Sequence, residues 1–128
     1  MKIYNGTQHQ INFYNLEQCD QSNPRKLLVL TGQEPVYFIE AGTNLNATKG
    51  NAQLTKEYDL PFKVNGAVEF ISYDPLPEGY DLYIVSNLYR SAVKELGGDT
   101  SKLATVNGVV YSDSDNPRPC GCLGLAIG

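Results

Sequence analysis

The chain has 128 residues, of which 41% are hydrophobic and 19% are charged, and its net charge is −4. A chain of this length and composition is predicted to fold as one domain around a single core. Its ten Lys and Arg residues are scattered and outnumbered by 14 Asp and Glu. This excludes the basic face that a long nucleic acid or an anionic membrane requires. A small anionic ligand needs only two or three hydrogen-bond donors, so binding of such a ligand remains possible.

The N-terminal residues are too polar for a secretory signal, and no apolar run approaches the about 18 residues of a membrane span. The sequence therefore predicts a cytoplasmic protein without a membrane partner.

Short runs rich in β-branched and aromatic residues, separated by Gly, Pro, Asn or Asp, predict that most of the chain forms strands. We expect these strands at residues 2–4, 9–14, 27–31, 36–40, 62–64, 67–72, 82–85, 103–106, 109–111 and 121–127. Most of them are expected to be neighbours in an antiparallel meander or a barrel-like sheet.

Three Asn-Gly dipeptides mark predicted changes of direction. Asn65-Gly66 and Asn107-Gly108 each stand between two strand-like runs, the composition of a type I′ hairpin, in which both central residues take a positive φ. Asn5-Gly6 predicts a turn or a bulge. The two prolines within residues 74–79 predict a loop, and the polar residues 41–56 predict a mobile loop or an arm onto a partner chain.

One helix is predicted, over residues 87–96, directly after the strand 82–85. Ser86 or Asn87 can cap its start, and Gly97-Gly98 can end it. Its buried stripe is predicted from residues at helical spacing: Leu88, Tyr89, Ala92, Val93 and Leu96. The fold class is therefore α+β, mainly antiparallel β with one helix packed on the sheet.

The start of this helix is the predicted ligand site, because its first amides lack partners within the helix and attract anions. Arginines near an anion and tyrosine rings that can stack on a base complete the prediction. The predicted ligand-binding residues are Ser86, Asn87, Arg90, Arg118, Tyr83, Tyr89, Tyr111, Thr7 and His9. The alternative is a simple N-cap beside two surface arginines.

His9 is the only histidine, and its spacing from Thr7 places both side chains on one face of a strand. It is either a structural imidazole or a group that contacts a ligand or acts as a general base. Asp113 and Asp115 form either a solvated turn or the start of a Ca²⁺ or Mg²⁺ site.

The three cysteines also leave two interpretations open. Cys120-Gly121-Cys122, with Cys19 and His9, could supply four zinc ligands. Structural zinc sites, however, usually have two to four residues between paired cysteines, and only Gly121 stands between these two. The sequence favours small reduced thiols, and neither a metal nor a cofactor is predicted.

Three short segments resemble a family of small proteins from phages and other bacterial mobile elements. They are Ile3-Tyr4-Asn5-Gly6-Thr7-Gln8-His9, Tyr83-Ile84-Val85-Ser86 and Gly121-Cys122-Leu123-Gly124-Leu125. Gln8 departs from the proline that relatives have between the Thr and the His. The resemblance transfers no activity and no functional residue. It implies a source whose small β-rich proteins include sponges that sequester nucleotide signals of host defence systems.

The first functional hypothesis is therefore a phage anti-defence protein that is not an enzyme. It would bind and sequester a cyclic oligonucleotide or a cyclic ADP-ribose type of signal, as a homo-oligomer. The second hypothesis is a nucleotide phosphodiesterase-like enzyme that uses His9 or the Asp113 and Asp115 loop. The third is a protein-binding module, either a virion component or an inhibitor of a host protein, that docks through residues 41–56 or an edge strand.

Overall fold

A computed structural model describes residues 1–50, 61 and 69–127 of the chain. This part is strand-rich, with a single helix packed on a nearly closed, barrel-like sheet, which confirms the predicted fold class. In chain order the elements are β1 (Ile3–Asn5), β2 (Ile11–Phe13), a one-turn 3₁₀ helix (Leu16–Gln18), β3 (Cys19–Asp20), β4 (Leu28–Leu30), β5 (Tyr37–Ile39), β6 (Ala47–Lys49), β7 (Phe70–Tyr73), β8 (Leu82–Ile84), α1 (Asn87–Glu95), β9 (Leu103–Tyr111) and β10 (Pro119–Ile127).

The main sheet has eight strands, six of them in the order β1-β8-β9-β10-β2-β5. β4 pairs with the second half of β9, beyond the part of β9 that pairs with β8, and β3 pairs with β4. β6 and β7 form a separate two-stranded sheet that contacts α1. β1 and β5 are therefore the two ends of the strand order.

The sheet is mixed, which corrects the predicted antiparallel meander. β1 pairs with β8, β8 with β9, β4 with β9 and β2 with β10 in parallel, whereas the β9–β10, β2–β5, β3–β4 and β6–β7 pairs are antiparallel. The helix explains the β8–β9 pair. A helix between two strands returns the chain to the side where the first strand began, so the second strand runs in the same direction.

Asn107-Gly108 is not a hairpin turn, contrary to the prediction. Both residues lie inside β9, which pairs with β10 before and after the dipeptide. A type I′ turn needs a positive φ at both central residues. Gly108 has a φ of 68°, but Lys26 is the only non-glycine residue with a positive φ in the described chain. The turn comes after β9 instead, where the Ser112 amide donates to the Arg118 carbonyl at 3.0 Å.

Most other predicted elements are confirmed, with shifted ends. The predicted strands that overlap an observed one are 2–4, 9–14, 27–31, 36–40, 67–72, 82–85, 103–106, 109–111 and 121–127. The predicted loop 74–79 joins β7 to β8. The predicted strand 62–64 and the hairpin at Asn65-Gly66 lie outside the described residues, as do residues 51–56 of the predicted arm.

Residues 41–50 are not a free arm, which corrects the prediction for this part of the segment. Leu45 is 6% exposed and belongs to the hydrophobic core. The Leu45 amide donates to the Gly6 carbonyl at 2.8 Å, and β6 pairs with β7. A single buried leucine and a short strand hold this polar segment against the rest of the molecule.

The C-terminal end of α1 confirms the predicted glycine stop. Gly97 has a φ of 78°, the left-handed conformation that a glycine adopts without strain. The Gly98 amide donates to the Val93 carbonyl at 2.8 Å, and the Gly97 amide donates to the Lys94 carbonyl at 3.2 Å. These two bonds make a Schellman motif. No helix in the described chain is long and apolar enough to span a membrane.

The buried face of α1 is narrower than predicted. Tyr89, Ala92 and Val93 are buried, whereas Leu88 and Leu96 are 49% and 43% exposed. The helix packs against the core with its middle turns, and the two leucines stand at its ends. The core cluster consists of Leu45, Tyr83, Val85, Tyr89, Val93 and Leu103, with Tyr4, Tyr73, Leu76 and Tyr80 packed against it.

The side chain of Asn5 bridges the gap between the two ends of the strand order. Asn5 is 3% exposed, and its Nδ2 donates to the Glu40 carbonyl at 3.1 Å and to the His9 carbonyl at 2.7 Å. Its Oδ1 accepts from the Thr7 amide at 3.0 Å. β1 and β5 are not paired in a ladder, so this one amide joins the end of β1 to the residue that follows β5.

We expect the Asn5→Ala substitution to lower the free energy of unfolding by about 2–4 kcal/mol, because it removes a buried side chain and its three part-buried bonds to the backbone. Chemical denaturation measures the change. The matched control is Gln10→Ala, which removes an exposed side-chain bond to Asn12 and should cost under about 0.5 kcal/mol. Equal losses in the two variants would contradict the role of Asn5.

Candidate functional site

A pocket of about 390 Å³ opens beside the start of α1. It is lined by residues from the turn after β1, from the segment leading into β6 and from the β8–α1 junction: Thr7, Gln8, His9, Asn44, Leu45, Asn46, Ala47, Ser86 and Leu88. Three of the predicted ligand-binding residues, Thr7, His9 and Ser86, thus meet in one pocket.

The turn from Asn5 to His9 places the first pocket wall. Besides the Thr7 amide, Asn5 Oδ1 accepts the Thr7 hydroxyl at 2.6 Å, so the predicted change of direction at Asn5-Gly6 is an Asx turn. The Gly6 amide donates to the Ile84 carbonyl at 2.8 Å, which fixes the turn to the end of β8. A Cβ at Gly6 would lie 2.9 Å from that carbonyl oxygen, so only glycine allows this approach.

The Thr7 hydroxyl is used within this turn, since it donates to Asn5 Oδ1 and accepts from the His9 amide at 3.4 Å. The backbone of His9 is also committed, since its carbonyl accepts from Asn5 Nδ2. The His9 side chain is exposed at the pocket. The imidazole can therefore meet a ligand without breaking a bond of the turn.

Ser86 caps α1 in the way that the sequence predicts. Its backbone is extended, with φ −70° and ψ 158°, and its Oγ accepts from the Tyr89 amide at 3.1 Å. The Arg90 amide donates to the Ser86 carbonyl at 3.1 Å and starts the helical bonding. The amides of Asn87 and Leu88 precede any intrahelical acceptor and carry the positive end of the helix dipole. Ser86 and Leu88 line the pocket, and Asn87 is exposed beside them.

Six residues that line the pocket were not predicted as ligand-binding residues from the sequence: Gln8, Asn44, Leu45, Asn46, Ala47 and Leu88. Four of them belong to the polar segment that was predicted to be a loop or an arm. The signal that could have found them is the pair of apolar points, Leu45 and Ala47, within that polar run. Isolated apolar residues in a polar run indicate that the segment packs against the core. The polar residues beside them can then line a pocket.

Tyr83 and Tyr89 lie in the core and not at the pocket. They are 5% and 1% exposed. The Tyr83 hydroxyl donates to the Pro77 carbonyl, and the Tyr89 hydroxyl donates to the Asp74 carbonyl. Both rings thus hold the 74–79 loop against the core, and the predicted stacking on a base would require the core to open.

Tyr111 and Arg118 are not among the described residues that line the pocket. Tyr111 is half-buried, and Arg118 is exposed on the loop that joins β9 to β10. The structure does not bring these two residues to the pocket.

Arg90 is half-buried and lies one helical turn after Ser86, on the same side of α1. It is not among the residues that line the pocket. Of the predicted set, Arg90 and Asn87 therefore border the site through the helix, whereas Thr7, His9 and Ser86 form it.

The metal sites considered from the sequence are not assembled. In the described chain no group of three or more His, Cys, Asp or Glu side chains is placed to hold a metal ion. Cys19 and Cys120 are half-buried and Cys122 is buried, and burial raises the pKa of each thiol. Asp113 Oδ1 accepts from the Asp115 amide at 3.2 Å, which is the bond of a short turn.

The described lining of the pocket combines polar residues with two leucines. Thr7, His9 and the helix start can meet a charged or hydrogen-bonding group, and Leu45 and Leu88 can cover a flat apolar one. This arrangement suits a small ligand that has both parts. Comparison with protein-family models, with curated proteins and with solved structures found no match to this chain.

We expect the Tyr89→Phe substitution to reduce the loss of stability between pH 10 and pH 12. Burial, then Tyr73 and Asp74, raise the pKa of Tyr89 from 10.0 to about 12. The folded state holds this phenol neutral after the unfolded chain has released its proton. Its contribution to the free energy of unfolding is therefore complete below pH 10 and declines as the pH rises to 12.

Denaturant titrations across this pH range measure the effect. Tyr37→Phe is the control, because Tyr37 is exposed and its loss should leave the slope of stability against pH unchanged. A Tyr89→Phe variant with the slope of the wild type would show that another group causes the alkaline loss.

Proposed function

We propose that the protein binds and sequesters a small anionic nucleotide in the pocket beside the start of α1, without cleaving it. The observation that carries this proposal is the meeting of Thr7, His9 and Ser86, from two distant parts of the chain, around one cavity. The cavity is large enough for part of a nucleotide, with the remainder outside its mouth.

The first support is the chemistry of the polar side. The amides of Asn87 and Leu88 and the positive end of the α1 dipole favour an anion. The exposed imidazole of His9 adds a donor that carries a positive charge when protonated. Among the described residues that line the pocket there is no Asp or Glu, and the Asp74 carboxylate near Asn46 accepts from the Asn46 amide at 2.7 Å.

The second support is the apolar side. Leu88 is 49% exposed on a nine-residue helix whose other large apolar groups are buried or lie at its far end. A half-exposed leucine beside the buried Leu45 provides a surface on which a base or a ribose can lie. The phage resemblance of the termini makes cyclic oligonucleotides and cyclic ADP-ribose derivatives the first ligands to test.

Isothermal titration against a panel of these nucleotides, with mass spectrometry of the ligand released by denaturation, tests both halves of the proposal. Binding with recovery of the intact nucleotide supports sequestration. A ligand that is recovered hydrolysed would favour the phosphodiesterase-like alternative, for which the exposed His9 in the pocket is the relevant observation. In that case His9→Ala should abolish turnover. No binding by any nucleotide would contradict the proposal.

A pair of tryptophan substitutions tests whether this pocket is the binding site. We expect Leu88→Trp to fill the pocket and to weaken nucleotide binding by on the order of tenfold or more, since one large side chain replaces ligand contacts. Leu96→Trp places the same ring at the other end of α1, where Leu96 is similarly exposed, and should leave the affinity unchanged. Equal affinities of the two variants would place the site elsewhere.

Arg90 tests the anionic part of the ligand. If Arg90 reaches a phosphate at the helix start, Arg90→Ala should lower the affinity on the order of ten- to a hundred-fold, the value of one charge-assisted bond. Thermal unfolding of the same variant separates the two roles. A large loss of stability together with binding would mean that Arg90 is structural.

A further inference from the structure

The edge of the main sheet at β5 carries an apolar surface that is exposed in the part of the chain that the structure describes. Val36, Tyr37 and Phe38 are consecutive in the sequence and are 55%, 61% and 50% exposed. We call these three residues the β5 patch. β5 pairs with β2 on one side and is the last strand of the sheet order, so its other side has no strand partner in the described chain.

An exposed edge of this kind is unusual in a protein that stays monomeric. Edge strands are commonly protected by a lysine, a bulge or an inward-pointing charge, because their free amides and carbonyls accept a further strand. β5 is short, with three residues, and Pro35 precedes it, but it carries no charge and no bulge: its residues are Tyr37, Phe38 and Ile39, and its three pairs with β2 are in regular register. The charges nearest to the patch are Glu34 and Glu40, one beyond each end.

We propose that the β5 patch is the contact between two copies of this chain, paired edge to edge in antiparallel orientation about a two-fold axis at Phe38. The positions of Glu34 and Glu40 favour this register over the neighbouring one. An axis at Tyr37 would set Glu34 of one copy opposite Glu40 of the other. An axis at Phe38 sets each Glu40 opposite Val36 and places the two phenylalanines against each other.

A second copy fits this patch better than a basic peptide or another acidic strand would. The patch is uncharged over its three residues, two of which are aromatic, so it complements itself once the acidic ends are out of register. A two-fold contact of this kind uses the same surface on both subunits and closes without leaving a free edge. The β2–β5 pairs of the two copies would then form one continuous sheet.

Charge substitutions on the axis test this pairing. Phe38→Lys and Phe38→Glu each set two like charges directly opposite each other, and each removes the central aromatic contact. We expect both variants to be monomers under conditions where the wild type is a dimer, with dimer dissociation constants raised on the order of tenfold or more. An equimolar mixture of the two should recover a heterodimer, because a lysine then faces a glutamate.

Sedimentation equilibrium from micromolar to millimolar concentration measures the three samples, and circular dichroism confirms that each variant is folded. Ile127→Lys is the matched control: it changes an equally exposed apolar residue on β10 and should dimerise as the wild type does. A monomeric wild type would overturn the proposal, as would a dimer that survives both Phe38 variants. A mixture that stays monomeric would overturn the two-fold register at Phe38.

Discussion

The side-chain amide of Asn5 is the interaction on which the rest of this structure depends. β1 and β5 end the strand order and share no ladder, so the barrel-like sheet is joined there by side-chain bonds from Asn5 to the His9 and Glu40 carbonyls. The same side chain accepts from the Thr7 amide and shapes the turn that forms one pocket wall. The Asn5 side chain is buried, so its amide needs these bonds, because a buried polar group without a partner costs more than an ordinary hydrogen bond contributes.

The β8–α1 junction supplies the opposite wall, and its position follows from the same contacts. The turn after Asn5 is fixed to β8 by the Gly6 bond to the Ile84 carbonyl, two residues before the cap Ser86. Tyr83 and Tyr89, which were predicted to contact a ligand, instead donate hydrogen bonds from the core to carbonyls of the 74–79 loop. The first amides of α1 therefore lie between segments that are hydrogen-bonded to the rest of the chain. A site that is held in place before a ligand arrives has a lower ordering cost of binding.

The side chain of Asn5 lies between the pocket and the end of β5. Asn5 Nδ2 contacts both the His9 carbonyl at the pocket turn and the Glu40 carbonyl after β5. Two copies paired through β5 would thus carry their pockets close to the shared edge.

The sequence by itself determined the local elements: the Ser86 cap, the glycine stop of α1, the 74–79 loop and nearly every described strand. Each depends on residues within a few positions of one another. Only the tertiary structure decided the rest. Asn107-Gly108 has the composition of a hairpin, but pairing with β10 on both sides keeps β9 straight through it. Thr7, His9 and Ser86 meet, whereas Arg118 and Tyr111 are not among the described residues that line their pocket, because strand order decides which residues come together. Local propensity fixes the backbone angles φ and ψ of each element. Strand order depends on contacts between residues far apart in the chain, and the local sequence pattern does not specify which of those residues come into contact.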